Sequence, residues 1–329
     1  MTIHRVAAID CGTNSIRLLI ADINSKADGI ERTVGSTDRS APLTDVAREM
    51  RIVRLGEDVD RTGRLSEAAL DRTMTALREY AGLIGAAAPE AIRMVATSAT
   101  RDAANSQEFT DRVFEVLGVA PEVISGDAEA RLSFTGATRE LADRDLAAEV
   151  LGPPYLVTDI GGGSTEFILG GLEGVESERS VNIGCVRMTE RHLHGDPPLN
   201  QEVADTIADV DAALDLAAAT VNVDKARTLV GLAGSVTTVA AIALGLDHYD
   251  SERIHHSRVS ATRGHEIAAE LLAMTRAERA AIPVMHPGRV DVIAAGALVL
   301  DRIMTSFGFA EVLVSEHDIL DGIAWSLVL

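Results

Sequence analysis

The chain has 329 residues, 47% of them hydrophobic, and a formal net charge of −20. That length suits two domains, each able to bury its own core, and that hydrophobicity excludes a disordered chain. The acidity speaks against nucleic acid and anionic membranes as partners, and apolar runs such as Val292–Leu300 are far too short to cross a bilayer. Cys11 and Cys185 are the only cysteines, which argues for a reducing, cytoplasmic setting over a disulfide framework, and Met-Thr-Ile-His-Arg at the start has no signal-peptide pattern.

In chain order, Val6–Asp10 and Leu18–Asp22 read as a hairpin around a turn of small residues. Gly35–Glu49 is polar and aperiodic and reads as an exposed excursion. Leu70, Met74, Leu77, Ala81 and Ile84 recur at helical spacing, with Ser66 placed to cap that helix. Ile92–Thr97 reads as a buried strand, Glu108–Leu117 as a helix and Glu122–Ser125 as a short strand. Tyr155–Val157 and Phe167–Leu169 flank a second small-residue turn. Val203, Ile207, Val210, Leu214 and Ala217 mark another amphipathic helix. Thr228–Leu232 is a strand, Val236–Leu244 a short apolar helix, Val290–Met304 a long helix and Val312–Val314 a last strand. This alternation predicts an α/β protein. The second hairpin starts a new half, with the division near Gly126–Arg139: residues 1–130 form one domain and 131–329 the other, and the last helix could pack back on the first.

The two turns carry one pattern. Asp10-Cys-Gly-Thr-Asn-Ser15 and Asp159-Ile-Gly-Gly-Gly-Ser164 each place Gly two residues and Ser five residues after Asp. Such turns bare backbone N–H groups to phosphate oxygens, and the leading carboxylate suits a hydrated metal ion. Seven residues after each Asp the copies diverge, to Arg17 and Glu166. Asp159 and Glu166 could face one Mg²⁺, although Asp159 could instead cap its own turn and Glu166 could be a solvated strand residue. Glu129 follows a strand end, where functional residues of open α/β sheets gather, and Arg101 follows another. Pattern alone leaves Glu129 open between a catalytic base and an exposed helical acid, and Arg101 between a phosphate clamp and a surface ion pair. Because a polyphosphate is itself an anion, its site must be a local basic cleft on this acidic body, and Arg17, Arg101, Arg131, Arg187, Arg253 and Arg258 are candidates to line it. Cys11, Cys185 and Trp325 read as packing residues. His255-His256 could pair on zinc, but neighbouring histidines in a strand would face opposite ways.

With these segments assembled, the sequence resembles the exopolyphosphatase / guanosine pentaphosphate phosphohydrolase family, within the acetate kinase, heat-shock chaperone and actin superfamily. The matching segments run from end to end. They are Asp10-Cys-Gly-Thr-Asn-Ser-Ile-Arg-Leu18 (with Thr13 where the family usually has Ser), Val53-Arg-Leu-Gly-Glu57, Arg61-Thr-Gly-Arg-Leu65 and Ala96-Thr-Ser-Ala-Thr-Arg101-Asp-Ala-Ala-Asn105. Then follow Ser125-Gly-Asp-Ala-Glu129-Ala-Arg-Leu132, Asp159-Ile-Gly-Gly-Gly-Ser-Thr-Glu166, Gly184-Cys-Val-Arg-Met-Thr-Glu190, Gly231-Leu-Ala-Gly-Ser235 and Asp291-Val-Ile-Ala-Ala-Gly-Ala-Leu298.

The resemblance implies two actin-like (ribonuclease H-like) domains with a phosphate-binding cleft between them. It implies Glu129 as the water-activating base and Arg101 as the phosphoryl-holding arginine. Asp159 and Glu166, with Asp10, would be metal-associated. Asn14, Ser15, Arg17, Gly161, Gly162, Gly163, Ser164, Thr165, Gly234 and Ser235 would bind phosphate. The expected cofactor is Mg²⁺, with Mn²⁺ as an alternative, and the expected assembly is a homodimer. One departure stands out: Ser315-Glu-His-Asp-Ile-Leu320-Asp-Gly322 has Leu320 where the family commonly has arginine, which puts that arginine's contribution near the cleft in doubt. The family often has Val-His-Gly at the histidine pair, favouring a basic cleft wall there. The activity implied is release of terminal orthophosphate from inorganic polyphosphate, with guanosine pentaphosphate hydrolysis as the near rival. Other classes remain in view, namely a sugar or acetate kinase and an actin-like, ATP-binding interaction protein.

Overall fold

The computed structural model describes residues 2–24, 43–139, 141 and 152–328. Its strands are β1 (Ile3–Cys11), β2 (Ser15–Asn24), β3 (Leu43–Ile52), β4 (Ala91–Ala96), β5 (Glu122–Val123), β6 (Tyr155–Ile160), β7 (Thr165–Gly171), β8 (Gly174–Val181), β9 (Thr228–Leu232), β10 (Arg258–Ser260) and β11 (Glu311–Val314). The helices begin with α1 (Val59–Thr62), α2 (Glu67–Ala87), α3 (Ser98–Asp102), α4 (Ser106–Leu117) and α5 (Gly126–Thr138). They continue with α6 (Cys185–His192), α7 (Asn200–Ala218), α8 (Ala233–Ala243), α9 (Ser251–Ile254), α10 (Ala261–Ala273), α11 (Arg276–Ala280), α12 (Ile293–Phe307) and α13 (Ile319–Trp325).

Two sheets repeat one order. The first runs β3-β2-β1-β4-β5, and the second runs β8-β7-β6-β9-β11 with β10 added at its edge. In each, a hairpin pairs antiparallel and the next strand joins parallel beside its first strand. This duplicated arrangement agrees with the two similar halves expected from the repeated turn pattern. β1 is buried from Val6 to Cys11 and β6 along its whole length, so these strands open as apolar runs, Val6–Ile9 and Tyr155–Val157, as strands covered on both faces do.

Helices α2 and α4 cover one face of the first sheet through Leu70, Met74, Leu77, Phe109 and Val113. On its other face lies α13, from the far end of the chain, with Ile319, Leu320, Ile323 and Trp325 against Val6, Ala8 and Leu19. Helices α7, α8, α10 and α12 pack on one face of the second sheet, and α5 packs on the other through Ala130, Phe134 and Ala137. Helices α5 and α13 meet closely enough that a Cβ on Gly136 would lie 1.8 Å from the Asp318 carbonyl oxygen, and one on Gly322 would lie 2.0 Å from that of Leu132. No larger residue fits at either crossing point.

Several local expectations change. The part of the Gly35–Glu49 excursion within the described residues is the start of β3, which pairs with β2 from Leu43 to Ile52. It is an edge strand with few buried side chains, so it carries no clean hydrophobic period. The strand expected at Glu122–Ser125 is only two residues long, because Ser125 turns outward to cap α5, its side chain accepting from the Ala128 N–H. His255 and His256 are not in a strand: His255 ends α9, His256 takes a left-handed φ of 59°, and their ring centroids lie 3.7 Å apart with the rings tilted by 31°. Opposite-facing side chains therefore do not apply to this pair. Ser66 does cap α2, accepting from the Ala69 N–H. Cys11, Cys185 and Trp325 are buried.

Candidate active site

The β1–β2 and β6–β7 turns occupy equivalent positions at the ends of their sheets. In the first, Asp10 and Arg17 are register partners. The Asp10 Oδ2 accepts from Arg17 Nε at 3.0 Å and Nη2 at 2.7 Å, and Arg17 Nη1 reaches Asp318 at the start of α13. Asp10 Oδ1 is buried with no hydrogen-bond partner. Burial raises the Asp10 carboxyl above its usual range, with Arg17 opposing. Burial also works to raise Asp318, but the Arg17 guanidinium, helped by the Leu320 N–H and Arg48, holds that carboxyl below its usual range.

In the second turn the same register position joins two acids, Asp159 and Glu166. Like charges directly opposed across a pair of strands destabilise it. Burial, followed by the Asp318 charge, lifts Asp159 to about 6. Burial, followed by the Asp159 charge, lifts Glu166 to about 8. Hydroxyls donate to both acids: Ser133 Oγ to Asp159 Oδ2 at 2.7 Å, and Ser180 Oγ to Glu166 Oε1 at 2.7 Å.

Helix α5 brings Glu129 to the same place. Ser125 caps the helix, so Glu129 sits in its first turn, and Ser133 lies one turn further along the same face. Glu129 is 8% exposed. Its carboxyl is pushed well above the usual range by burial and then by the Glu166 charge, with Asp159 and Asp10 adding to the shift and Arg101 opposing it. Arg101, in the last turn of α3, donates through Nη1 to Glu129 Oε2 at 3.2 Å and to the Ile124 carbonyl at 2.9 Å. Four carboxylates, Asp10, Glu129, Asp159 and Glu166, thus share one buried region with Arg101 and Arg17 at its margins.

The remaining expected residues fall nearby, with their polar groups already partly engaged. Asn14 caps the first turn by accepting the Val53 and Arg54 N–H groups at its carbonyl. Gly161 N–H donates to the Ser164 carbonyl at 3.0 Å. The Thr165 hydroxyl donates to the Ile183 carbonyl and is spent on holding β7. Ser15 begins β2 and Ser235 lies buried in the first turn of α8. A Cβ on Gly234 would lie 2.2 Å from the Arg289 guanidinium, which donates to the Gly234 carbonyl and the Thr238 hydroxyl, each at 3.0 Å. Just before it, Ala233 has a φ of 66°, a left-handed backbone that a non-glycine residue takes only where its surroundings impose it.

The two turns touch each other. A Cβ on Gly163 would lie 2.6 Å from Ser98 Oγ and 2.8 Å from Thr13 Oγ1, and one on Gly162 would lie 2.8 Å from Thr13 Cβ. Thr13 and Ser98 hydroxyls are 2.8 Å apart. In this arrangement Thr13 and Gly163 leave no room for a phosphoryl group between them.

The proposed basic path is also largely neutralised. Arg17, Arg101, Arg131, Arg187 and Arg258 each pair with an acid. Leu320 is buried against the first sheet, so the position where the family commonly has arginine points into an apolar cluster here. Sequence reasoning did not find Ser133, Ser180, Asp318 or Arg289. Ser133 could have been found from its helical spacing to Glu129, and Ser180 from its register opposite Glu166 on β8. Asp318 and Arg289 come from distant segments and carry no local signal.

The acids suit a hard cation, since oxygen donors and surplus negative charge are what Mg²⁺ requires, and the unpartnered Asp10 Oδ1 adds a free acceptor. Among the described residues no group of three or more such side chains forms a ready metal cage. Mg²⁺ is usually held by one or two carboxylates, waters and substrate phosphates, and Asp159 and Glu166 fit that pattern.

Known proteins share this sequence pattern and fold. Residues 33–329 match the Ppx/GppA phosphatase family. The chain belongs to that family. It is 49% identical to Exopolyphosphatase 2 of Mycobacterium tuberculosis, over 99% of both chains. It is 28% identical to guanosine-5′-triphosphate,3′-diphosphate pyrophosphatase of Aeromonas salmonicida, covering 98% of this chain but 59% of that one. Among solved structures, an exopolyphosphatase-like protein superposes with a TM-score of 0.89 at 42% identity, covering 99% and 98% of the two chains. The Aquifex aeolicus member of the Ppx/GppA family superposes at 0.77 and 30% identity, over 99% and 98%. The fold is therefore that of Ppx/GppA phosphatases, and no helix among the described residues is long and apolar enough to cross a membrane.

Proposed function

We propose that this member of the Ppx/GppA family is an exopolyphosphatase, cleaving terminal orthophosphate from inorganic polyphosphate. The observation that carries the reading is Glu129: a buried carboxylate at a helix start, bonded to Arg101 and facing the paired acids Asp159 and Glu166. A water oxygen attacks the terminal phosphorus, the bond to the bridging oxygen breaks, and orthophosphate leaves a chain shorter by one phosphate. Glu129 takes the proton from the attacking water. Arg101 holds Glu129 in place and, with the N–H groups of Gly162, Gly163 and Ser164, meets the phosphoryl oxygens where charge develops. Asp159 and Glu166 would hold Mg²⁺, or Mn²⁺, which would neutralise phosphate charge. Ser133 and Ser180 fix the orientation of these two acids. Gly234 and Ser235 line the far side of the cleft.

Buried, reduced Cys11 and Cys185 support a cytoplasmic setting. We place the division between the two halves near residue 130 and take a homodimer as the working assembly.

Guanosine pentaphosphate is the second reading, favoured by the Aeromonas relative, whose likeness spans nearly all of this chain. Phosphate release measured on polyphosphates of several lengths, guanosine pentaphosphate and ATP decides between them. Release from polyphosphate well above the other two is expected. Hydrolysis of guanosine pentaphosphate alone would transfer the assignment to the second reading.

A further inference from the structure

Arg187 is 9% exposed and sits in the first turns of α6. Its Nε donates to the Gly163 carbonyl at 2.6 Å, Nη2 donates to Asp102 at 2.5 Å, and Nη1 reaches Asp60. These partners lie on three separate segments: the second turn, α3 and α1. One turn later Arg191 donates to Asp60 at 2.7 Å and 3.0 Å and to Asp209 at 3.0 Å. Beside it, the Asp58 N–H donates to Glu190 at 3.1 Å. Helix α6 of the second sheet's side is therefore fastened to α1 and α3 of the first sheet's side through one planar guanidinium and its neighbours. A rigid fork of donors suits this task, and lysine's single ammonium could not reach all three acceptors.

We infer that Arg187 is the closure latch of the cleft, a positioning residue that couples the second turn to the helix carrying Arg101. The inference rests on the site proposed above. Asp102 adjoins Arg101, so the Arg187–Asp102 pair fixes the end of α3 from which Arg101 reaches Glu129. The bond to Gly163 fixes the turn itself. In a trans peptide the carbonyl and the following N–H point opposite ways, so holding the Gly163 carbonyl toward Arg187 aims the Ser164 N–H away from it. The same contact keeps Gly163 against Thr13 and Ser98, where no phosphoryl group fits. Substrate entry then requires the latch to open, and assembly of Glu129, Arg101 and the paired acids requires it to close.

The test reads geometry and chemistry separately. Spin labels are placed at Ala68→Cys on α2 and Ala204→Cys on α7, both exposed positions, and the distance distribution is measured by pulsed electron resonance without substrate. The parent protein is expected to show a dominant short distance. Arg187→Ala should add a longer, broader population and lower kcat on a short polyphosphate by roughly ten- to a hundred-fold. The Asp60→Asn, Asp102→Asn double variant leaves Arg187 in place and should shift the distances the same way. Combined with Arg187→Ala it should add little, since contacts within one network are not additive. Arg302→Gln, whose partner Asp211 lies away from the cleft, should change neither readout.

Unchanged distances in both the Arg187→Ala and the double-aspartate variants, or additive losses of kcat, would overturn the latch. A lowered melting temperature with unchanged distances would show a merely structural arginine and also overturn it. Because the distance measurement uses no substrate, failure of the parent protein to hydrolyse polyphosphate would count against the proposed activity alone.

Discussion

The two turns are built alike and charged oppositely. At one register position the first turn opposes Asp10 with Arg17, and the second opposes Asp159 with Glu166. The first is closed electrostatically: Arg17 lies between Asp10 and Asp318, both buried. Among the described residues the second has no guanidinium bonded to either acid, and hydroxyls, those of Ser133 and Ser180 among them, donate to the pair instead. The duplication therefore supplies two backbone cradles but one uncompensated pair of carboxylates. A single chemical difference, arginine against glutamate, separates a turn whose acid is neutralised by a guanidinium from a turn whose acids are left for the cation proposed above.

The largest expected effect lies with the acid that faces both. Glu129→Gln keeps the shape and the Arg101 contact but cannot accept a proton. Turnover should fall by roughly 10²–10⁴-fold, the range for loss of a general base, with KM nearly unchanged because the residue does not carry substrate binding. Steady-state phosphate release checks this, and turnover within a few-fold of the parent protein would remove Glu129 from the chemistry.

The next prediction breaks the comparison directly. If only the second turn serves a cation, Asp159→Asn should raise the Mg²⁺ concentration for half-maximal activity by about ten-fold or more, and chelation should abolish activity in the parent protein. Asp10→Asn should leave the Mg²⁺ requirement within a few-fold. It should instead reduce stability, since it unbalances the buried Asp10–Arg17–Asp318 cluster, and removing one partner of such a pair typically costs about 3–5 kcal/mol. Equal shifts in Mg²⁺ requirement for both variants would mean that the two turns share the ion.

A smaller effect should appear in stability against pH. In chelator, the folded protein keeps protons on Asp159 up to about pH 6 and on Glu166 up to about pH 8, whereas the unfolded chain releases them near the ordinary values of 3.8 and 4.5. Between those limits the folded state binds more protons than the unfolded state. The stability these groups contribute is therefore complete below about pH 4 and is lost as pH rises toward 8. Melting temperature should drop by several degrees from pH 5.5 to pH 8 in chelator, at roughly 2–4 °C per kcal/mol, and Mg²⁺ should recover more of it at pH 8. Glu166→Gln should flatten the decline. An unchanged slope in that variant would show that the paired acids are not its source.

How much of this was legible in the residues depended on distance along the chain. The turns and the duplication could be read because each is a local pattern of small residues between apolar strands, whereas Glu129 stays open on pattern alone and is singled out only by the family resemblance. The β3 edge strand escaped because its side chains are mostly exposed and leave no alternation. The partners that set the charge balance escaped for another reason. Asp318 meets Arg17 across almost the whole sequence, and Arg187 meets Asp60, Asp102 and Gly163 only after both halves have folded. Spacing encodes which face a residue occupies, but an ion pair between distant segments requires the topology first. The expected arginine path failed on the same ground, since sequence shows the arginines but not the acids that already occupy them.

The smallest effect concerns chain length and salt, and it sharpens the comparison by asking how far phosphate recognition extends beyond the two turns. The body carries a charge of −20, and five of the six candidate arginines are paired with acids. Little free positive charge remains to attract a long polyanion, so its outer phosphates should meet repulsion once the end has bound. Short polyphosphates should therefore have the higher kcat/KM at low salt, by a few-fold. Raising salt toward physiological strength shortens the screening length to about 8–10 Å, which weakens contacts at the turn and also the repulsion of a distant tail. Apparent affinity for short chains should then fall while the penalty on long ones shrinks, and the ratio of the two kcat/KM values should move toward one. A protein that prefers chains of hundreds of phosphates at low salt would contradict this, because it would need a basic track that the charge distribution around these two turns does not supply.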